Sequence, residues 1–367
     1  MTSASSTDTR FMALALSLGR RGQGGVWPNP AVGCVIVNGD RIVGRGWTQP
    51  GGRPHAEPVA LAQAGPQSVG ATAYVTLEPC AHTGKTPPCA QALIDARVAR
   101  VVIACTDSDP RVSGKGIAML KAAGIVVMTG LLEEEARKDH IGFLSKVDLG
   151  RPMVTLKLAS SFDGRIATAT GESQWITAGP ARRLVHAMRA RHDAVMVGGG
   201  TARHDDPSLT VRDIGISRQP TRIVVSSRLD LPLNGKLAQT ASAIPVILCH
   251  ASNADPHLIT TWQQLGATLI PCATRAGQLD PADVLAKLAA HGLTRVFCEG
   301  GGGLAASLLR ADLVDHLIGF TAGLTIGADG LSAIGPLGLL HLGDAPRFHL
   351  QNTQAIGPDI FHTWTRT

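Results

Sequence analysis

One histidine, one glutamate and two cysteines between residues 55 and 89 carry the chain's most specific chemistry. His55-Ala56-Glu57 opens a predicted helix. The stretch Pro79-Cys80-Ala81-His82-Thr83-Gly84-Lys85-Thr86-Pro87-Pro88-Cys89 follows a strand and leads into another helix. One imidazole and two thiolates suit zinc and leave the fourth tetrahedral position for water, which distinguishes a catalytic ion from a structural one. Zinc lowers the pKa of its water, so hydroxide becomes available near neutral pH to attack an amidine-like ring carbon. The departing amine needs a proton, and Glu57, two residues from a ligand, can take one from water and hand it to nitrogen. Both cysteines are read at or just before a helix N-terminus, where the helix dipole favours thiolate. His82 is the rival ligand. A fourth protein ligand would close the site, so His82 is read as a group facing the substrate or supporting the ligands. The alternatives, a structural zinc site or unrelated buried thiols, leave the placement of Glu57 unexplained.

The pattern H-x-E followed by P-C-x-x-C is that of nucleobase deaminases, but here eight residues separate the cysteines. The uninterrupted form P-C-x-H-x-G-x-T-P-P-C resembles the riboflavin-pathway deaminases. Upstream, Asn29 stands between Pro28 and Pro30, held stiffly enough to present its amide to a ring edge, with a plain turn as the alternative. Cys34, Cys105, Cys249, Cys272 and Cys298 lie in or beside apolar strands and read as core residues.

These groups need a scaffold. In the first half, strands are expected at Ala31–Val37, Arg41–Trp47, Thr72–Leu77, Ala99–Ala104 and Ile125–Met128. Helices are expected at Asp8–Arg20, Ala56–Ala64, Pro88–Ala96, Lys115–Ala122 and Leu132–Val147, the first capped by Ser6, Thr7 or Asp8. Asn38-Gly39-Asp40 suits a hairpin turn, and the later alternation implies a three-layer α/β sheet. Gly150-Arg151-Pro152 stops the long helix, because proline cannot continue it. The boundary therefore falls near residue 150, giving domains 1–150 and 151–367. A strand at Met153–Leu158 opens the second domain. Others are expected near Asp193–Gly198, Arg222–Ser226, Pro245–Cys249, Thr268–Ile270 and Arg295–Glu299, with Leu313–Thr321, Arg347–Asn352 and Asp359–Thr365 in the tail. No repeat links the halves, so two independent α/β domains are expected.

Composition narrows the partners. The 367 residues carry 34 basic and 28 acidic side chains, a formal charge of +6, which suits an anionic small molecule such as a phosphate ester. The basic residues are scattered and there is one tyrosine, so no stacking platform for a nucleic acid is evident. No apolar run spans a membrane. Phe11–Gly19 lacks the flanks of a signal peptide. Seven cysteines, an odd number spread over a long chain, suit reduced thiols, and a cytoplasmic location is expected.

Three segments stand out in the second half: Lys157–Arg165; Val197-Gly198-Gly199-Gly200-Thr201 with Asp205–Arg212; and Glu299-Gly300-Gly301-Gly302-Gly303-Leu304-Ala305-Ala306-Ser307. Glycine-rich turns between strand and helix let backbone amides approach a phosphate. Glycines serving tight turns and close packing are the plainer reading. Arg203 and Arg212 suit a phosphorylated ligand. Residues alone support an anion- or nucleotide-binding α/β domain.

Taken with Gly171–Thr177 (G-E-S-x-W-I-T) and Asp205–Arg212 (D-D-P-x-L-T-V-R), the zinc motif makes nearly the whole chain resemble the bifunctional riboflavin-biosynthesis deaminase–reductases. The resemblance implies a cytidine-deaminase-like N-terminal domain and a dihydrofolate-reductase-like C-terminal domain. The first would remove an amino group from a diaminopyrimidinone ribosylamino 5′-phosphate. The second would use NADPH to reduce the ribose to a ribityl chain. By motif, the implied cofactor contacts are Ala159, Trp175, Thr201, Asp205, Ser227 and Gly301, Gly302, Gly303, Leu304, Ala305, Ala306 and Ser307. Ser226 is the alternative to Ser227. The implied substrate contacts are Ser173, Arg189, Leu209, Arg212 and Glu299, with the arginines holding phosphate. Lys157, beside the cofactor segment, is assigned to sugar ring opening or imine chemistry. Arg203-His204 and Ala322–Gly327 depart from the family pattern and put local loop geometry in question. A homo-oligomer is also expected. The competing readings are a monofunctional deaminase whose second half only binds nucleotide, and an RNA-editing or nucleic-acid-binding protein.

Overall fold

The computed structural model describes residues 5–84 and 87–366. Lys85 and Thr86 of the cysteine-bracketed motif lie outside the described residues. The chain divides into two compact units, Met1–Gly150 and Arg151–Thr367.

Unit 1 runs α1 (Ser6–Gly19), β1 (Gly33–Asn38), β2 (Arg41–Trp47), α2 (Ala56–Ala64), β3 (Thr72–Leu77), α3 (Cys89–Asp95), β4 (Arg100–Cys105), α4 (Lys115–Ala122), β5 (Val126–Thr129) and α5 (Glu133–Leu149). The sheet order is β2-β1-β3-β4-β5. β1 is antiparallel to both neighbours, and β3, β4 and β5 are parallel. Helix α1 packs with α5, while α2, α3 and α4 pack in succession, giving the expected three layers. β1, β3 and β4 have almost entirely buried residues, as a sheet covered on both faces requires. Met12, Val35, Ile36, Leu93 and Ile103 lie in that core, each such side chain contributing about 1.5–3 kcal/mol.

The cap of α1 differs from expectation. Ser5 takes the N-cap, one residue ahead of the candidates, and Asp8 closes a capping box from N3. Asp8 also accepts from Tyr74 Oη at 2.7 Å and from Arg100 Nη1 at 2.7 Å. The Arg100 guanidinium holds the Asp8 carboxyl well below the usual carboxylate range against burial, with Tyr74 helping. A depressed carboxyl pKa contributes stability that is present above the ordinary value near 4 and lost as pH falls through the folded-state value. Asp8→Asn is therefore expected to destabilise unit 1 by about 2 kcal/mol at neutral pH. Urea unfolding checks this, and the difference should shrink in acid.

Helix α5 ends at Gly150, whose φ of +67° a glycine adopts without penalty. Unit 2 follows: β6 (Met153–Ser161), β7 (Arg165–Ala167), α6 (Gly179–Ala190), β8 (Ala194–Gly198), α7 (Gly199–Asp205), β9 (Thr221–Val225), α8 (Lys236–Gln239), β10 (Val246–Ala251), α9 (Pro256–Gln264), β11 (Thr268–Cys272), β12 (Thr274–Arg275), β13 (Gln278–Leu279), α10 (Pro281–Ala290), β14 (Arg295–Cys298), α11 (Gly302–Arg310), β15 (His316–Ala322), β16 (Leu331–Ser332), β17 (Phe348–Ile356) and β18 (Asp359–Arg366). Nine strands form one sheet in the order β11-β10-β9-β8-β14-β6-β15-β18-β17. It is parallel from β11 to β15, and β18 and β17 continue it antiparallel. Ligands in such sheets bind beyond the carboxyl ends of the strands, where β8 and β14 reach their glycine turns.

Candidate functional sites

In unit 1, His55 is the residue ahead of α2, in extended conformation (φ −69°, ψ 169°), and Glu57 lies in the first helical turn. Cys80 follows β3 and Pro79, and Cys89 is the first residue of α3. Cys80 is not itself at a helix start in sequence. The fold brings it to one, because the Cys89 backbone N–H donates to Cys80 Sγ at 3.2 Å. The ligand atoms of His55, Cys80 and Cys89 all lie within 4.8 Å of one another. His55 Nδ1 is 3.2 Å from Cys89 Sγ and 3.8 Å from Cys80 Sγ. Tetrahedral zinc with its usual bond lengths spaces such donors about 3.5–3.8 Å apart, so the three residues fit the ion. His82 is not part of this cluster, and its Nδ1 is buried without a hydrogen-bond partner.

Electrostatics favour a cation here. Cys80 is pushed down to about 4, first by hydrogen bonding to the Cys89 thiol and then to His55. Cys89 is held far above the ordinary thiol range by its bond to Cys80 and by burial. The pair shares a proton that a divalent ion would replace. Glu57, 3% exposed, is pushed up to about 7 by burial and next by the charge of Cys80. Near neutral pH it populates both forms, as a group that takes and returns a proton must. Asn29 donates its amide N–H to the Gly52 carbonyl at 2.7 Å, so one amide hydrogen is already engaged. Cys34, Cys105, Cys249, Cys272 and Cys298 are free and buried. Burial, and then the charge of Glu57, raise the Cys34 thiol.

In unit 2 the two glycine turns meet. Gly198 precedes α7 and Gly301 precedes α11, and neither helix has a side-chain cap. Gly301 N–H donates to Thr201 Oγ1 at 3.1 Å. A cleft of about 700 Å³ contains Ser173, Thr201, Asp205, Gly301, Gly302, Gly303 and Leu304. A second, of about 500 Å³, shares Gly198, Gly200, Gly303 and Leu304 with it and adds Ser227 and Ser307. Ser226 also reaches this cleft but is buried, with its hydroxyl 3.4 Å from Asp230, which leaves Ser227 the freer group.

Other expected contacts fall elsewhere. Ala305, Ala306 and Leu209 have core side chains, so a contact with a ligand would have to come through backbone. Trp175 is 66% exposed, with the Arg182 guanidinium 4.4 Å from its ring centre, and lines neither cleft. Ala159, on β6, packs against the Phe297–Phe320–Phe361 cluster. Arg212 is exposed, and its backbone N–H donates to His186 Nδ1 at 3.2 Å.

Arg189 grips Glu299 in a fork, Nε to Oε1 at 2.5 Å and Nη2 to Oε2 at 3.1 Å, and donates Nη1 to the Thr210 carbonyl. Lys157 Nζ lies 3.8 Å from Glu299 Oε2. Burial works against the charge of Glu299, but Arg189 and Lys157 outweigh it and hold its carboxyl below the ordinary range. Burial lowers Lys157 despite Glu299. Sequence reasoning treated Arg189 as a phosphate ligand; its shared fork with Glu299 has no signature in spacing. The buried Glu78, which accepts from the backbone of Asp107, Gly114 and Ile117 just ahead of Cys80, has no such signature either.

A metal-ready His/Cys/Cys cluster with a buried glutamate, in a chain whose second unit is a glycine-lined α/β sheet, defines a zinc-binding deaminase joined to a reductase. Residues 5–105 match the cytidine and deoxycytidylate deaminase zinc-binding region, and residues 152–362 match the RibD C-terminal domain. The riboflavin biosynthesis protein RibD of Escherichia coli K12 is 40% identical over 96% of this chain and 98% of its own length. That of Aquifex aeolicus is 38% identical over 96% and 97%. Among solved structures, RibD of Acinetobacter baumannii superposes with a TM-score of 0.89 at 38% identity, covering 98% of this chain and 99% of the other. A Thermotoga maritima protein described as a diaminohydroxyphosphoribosylaminopyrimidine deaminase/5-amino-6-(5-phosphoribosylamino)uracil reductase gives 0.86 at 33%, with the same coverage. The chain belongs to the RibD family and is a bifunctional deaminase and reductase of riboflavin biosynthesis. Among the described residues no helix is long and apolar enough to cross a membrane.

Proposed function

We propose that unit 1 hydrolytically deaminates 2,5-diamino-6-ribosylamino-4(3H)-pyrimidinone 5′-phosphate, and that unit 2 then reduces the ribosyl side chain with NADPH to give 5-amino-6-(5-phosphoribitylamino)uracil. The observation that carries this reading is the convergence of His55, Cys80 and Cys89 beside the buried carboxyl of Glu57.

When bound by those three residues, zinc supplies Lewis acidity that activates water near neutral pH. Glu57 accepts the proton of the attacking water and returns it to the leaving nitrogen. The ring C–NH₂ becomes C=O and ammonia departs. His82 faces the substrate. In unit 2, the turns at Gly198–Thr201 and Gly301–Ser307, with Ser227 and Asp205, hold the cofactor, which supplies hydride; Ala159 and Trp175, outside the two cleft linings, are its outlying contacts. Ser173, Leu209, Arg212, Arg189 and Glu299 hold the phosphorylated sugar. Arg189 acts largely by fixing Glu299, and Arg212 is the freer phosphate ligand. Lys157 donates the proton that opens the sugar ring. Seven cysteines, an odd number spread over a long chain, support a reducing, cytoplasmic setting. The exposed edge strand β17 supports pairing with a second copy, hence a homo-oligomer.

Supplying the diamino substrate with NADPH and weighing the products tests the reading. Exchange of the amine for oxygen together with a gain of two hydrogens is expected. Exchange without the hydrogens would leave a deaminase whose second unit only binds nucleotide.

A further inference from the structure

Helix α4 begins without a cap of its own. Its N-cap is Gly114, at φ +75° and with no side chain to offer, so its first amides need an acceptor from elsewhere. Glu78 supplies it from the end of β3, two residues ahead of Cys80. The carboxylate is 3% exposed. Oε2 accepts from the N–H of Gly114 at 3.0 Å, and Oε1 from that of Ile117 at 3.2 Å. The Asp107 N–H reaches Oε2 at 3.4 Å. A negative group at a helix N-terminus also gains from the dipole.

Gly116 gives a second, independent sign of docking. A Cβ there would lie 2.0 Å from the Pro79 carbonyl oxygen and 3.3 Å from Glu78 Oε1. The first turn of α4 therefore lies against the Pro79–Cys80 peptide. Cys80, the next residue, is also gripped by the Cys89 N–H to its sulfur and by the Ala90 N–H to its carbonyl, each at 3.2 Å. The segment leading from β4 into α4 hangs from the same carboxylate. It carries Ser108, whose buried hydroxyl has no hydrogen-bond partner, and Asp109, whose carboxylate accepts from Arg111 Nε at 3.0 Å.

We propose that Glu78 is a positioning residue of the metal centre: it docks the N-terminus of α4 against the Pro79–Cys80 peptide, which aims Cys80 at His55 and Cys89. This rests on the zinc reading above.

The test uses the full-length protein stripped of metal and titrated with zinc against a chromophoric chelator. Glu78→Gln keeps the side chain's shape but turns an amide NH₂ toward the helix amides. It is expected to weaken zinc binding about 10-fold or more, in the range seen when groups supporting metal ligands are removed. Full stoichiometry should still be reached at saturating zinc, and NADPH-dependent reduction should be unchanged. Gly116→Ala leaves the carboxylate but lifts α4 off Pro79. It should weaken zinc in the same way, and the double variant should lose less than the sum, because both act through one contact. Unchanged affinity in Glu78→Gln, or strictly additive losses, would overturn the proposal. So would failure to fill the site at saturating zinc, which would make Glu78 a fold requirement only. A wild-type chain that binds no zinc overturns the zinc reading and this proposal together, an outcome separable from the others because in those the wild type still binds.

Discussion

Glu57→Gln is expected to lower ammonia release by about 10³-fold or more while the same protein still reduces the deaminated intermediate with NADPH. Gln is nearly isosteric, so the zinc ligands keep their places, but an amide neither accepts the water proton nor returns it. Removing a general acid–base group costs roughly 10²–10⁴-fold, and one carboxylate serving both transfers belongs toward the upper end. The carboxyl is buried and poised near neutrality. Ammonia release and NADPH oxidation, measured on one preparation, check the separation. If both activities vanish in a folded variant with zinc bound, the two-site account fails.

Lys157→Met should produce the mirror result: reduction slowed by about 10²-fold with deamination intact. Lys157 is largely shielded, its side chain 16% exposed, and that desolvation lowers its pKa, so it gives up a proton more readily than an exposed lysine. That is the property needed of a donor to the sugar. Methionine fills comparable volume, and Glu299 keeps its two bonds from Arg189, so no buried carboxylate is stranded and the unit should remain folded. Steady-state oxidation of NADPH with the deaminated substrate is the measurement. A kcat equal to that of the wild type would remove Lys157 from the chemistry and leave it a structural partner of Glu299.

The metal site was legible in the sequence because its residue types are chemically scarce and its spacing is rigid: His55, Cys80 and Cys89, which the fold brings together, needed no neighbours to be recognised. The strands of unit 1 were legible for a related reason, since covered parallel strands such as β3 and β4 read as apolar runs. Where partners are backbone groups, nothing in the sequence announces them. Glu78 looks like any acidic residue at a strand end, because its acceptors' counterparts are amides of Gly114 and Ile117 far along the chain. Ser5 was overlooked for Ser6 because consecutive serines make equal caps until the backbone chooses one. β17 was foreseen only as far as Asn352 but runs to Ile356, its exposed second half being held by register with β18 rather than by apolar alternation. Arg189 carries a charge that suits phosphate equally well from sequence, and only the fold reveals the fork on Glu299.

The order of strands in unit 2 bears on how the polypeptide comes to be folded as it is made. β6, the first strand to leave the ribosome after Gly150, has β14 and β15 as its neighbours, and β15 in turn leans on β18. Nascent chains would thus hold a completed unit 1 beside a long stretch still awaiting its central pairings, exposed to chaperones and proteases until the last strand emerges. Shortening that final strand by a few residues would injure the reductase half during biogenesis, although it touches neither cleft.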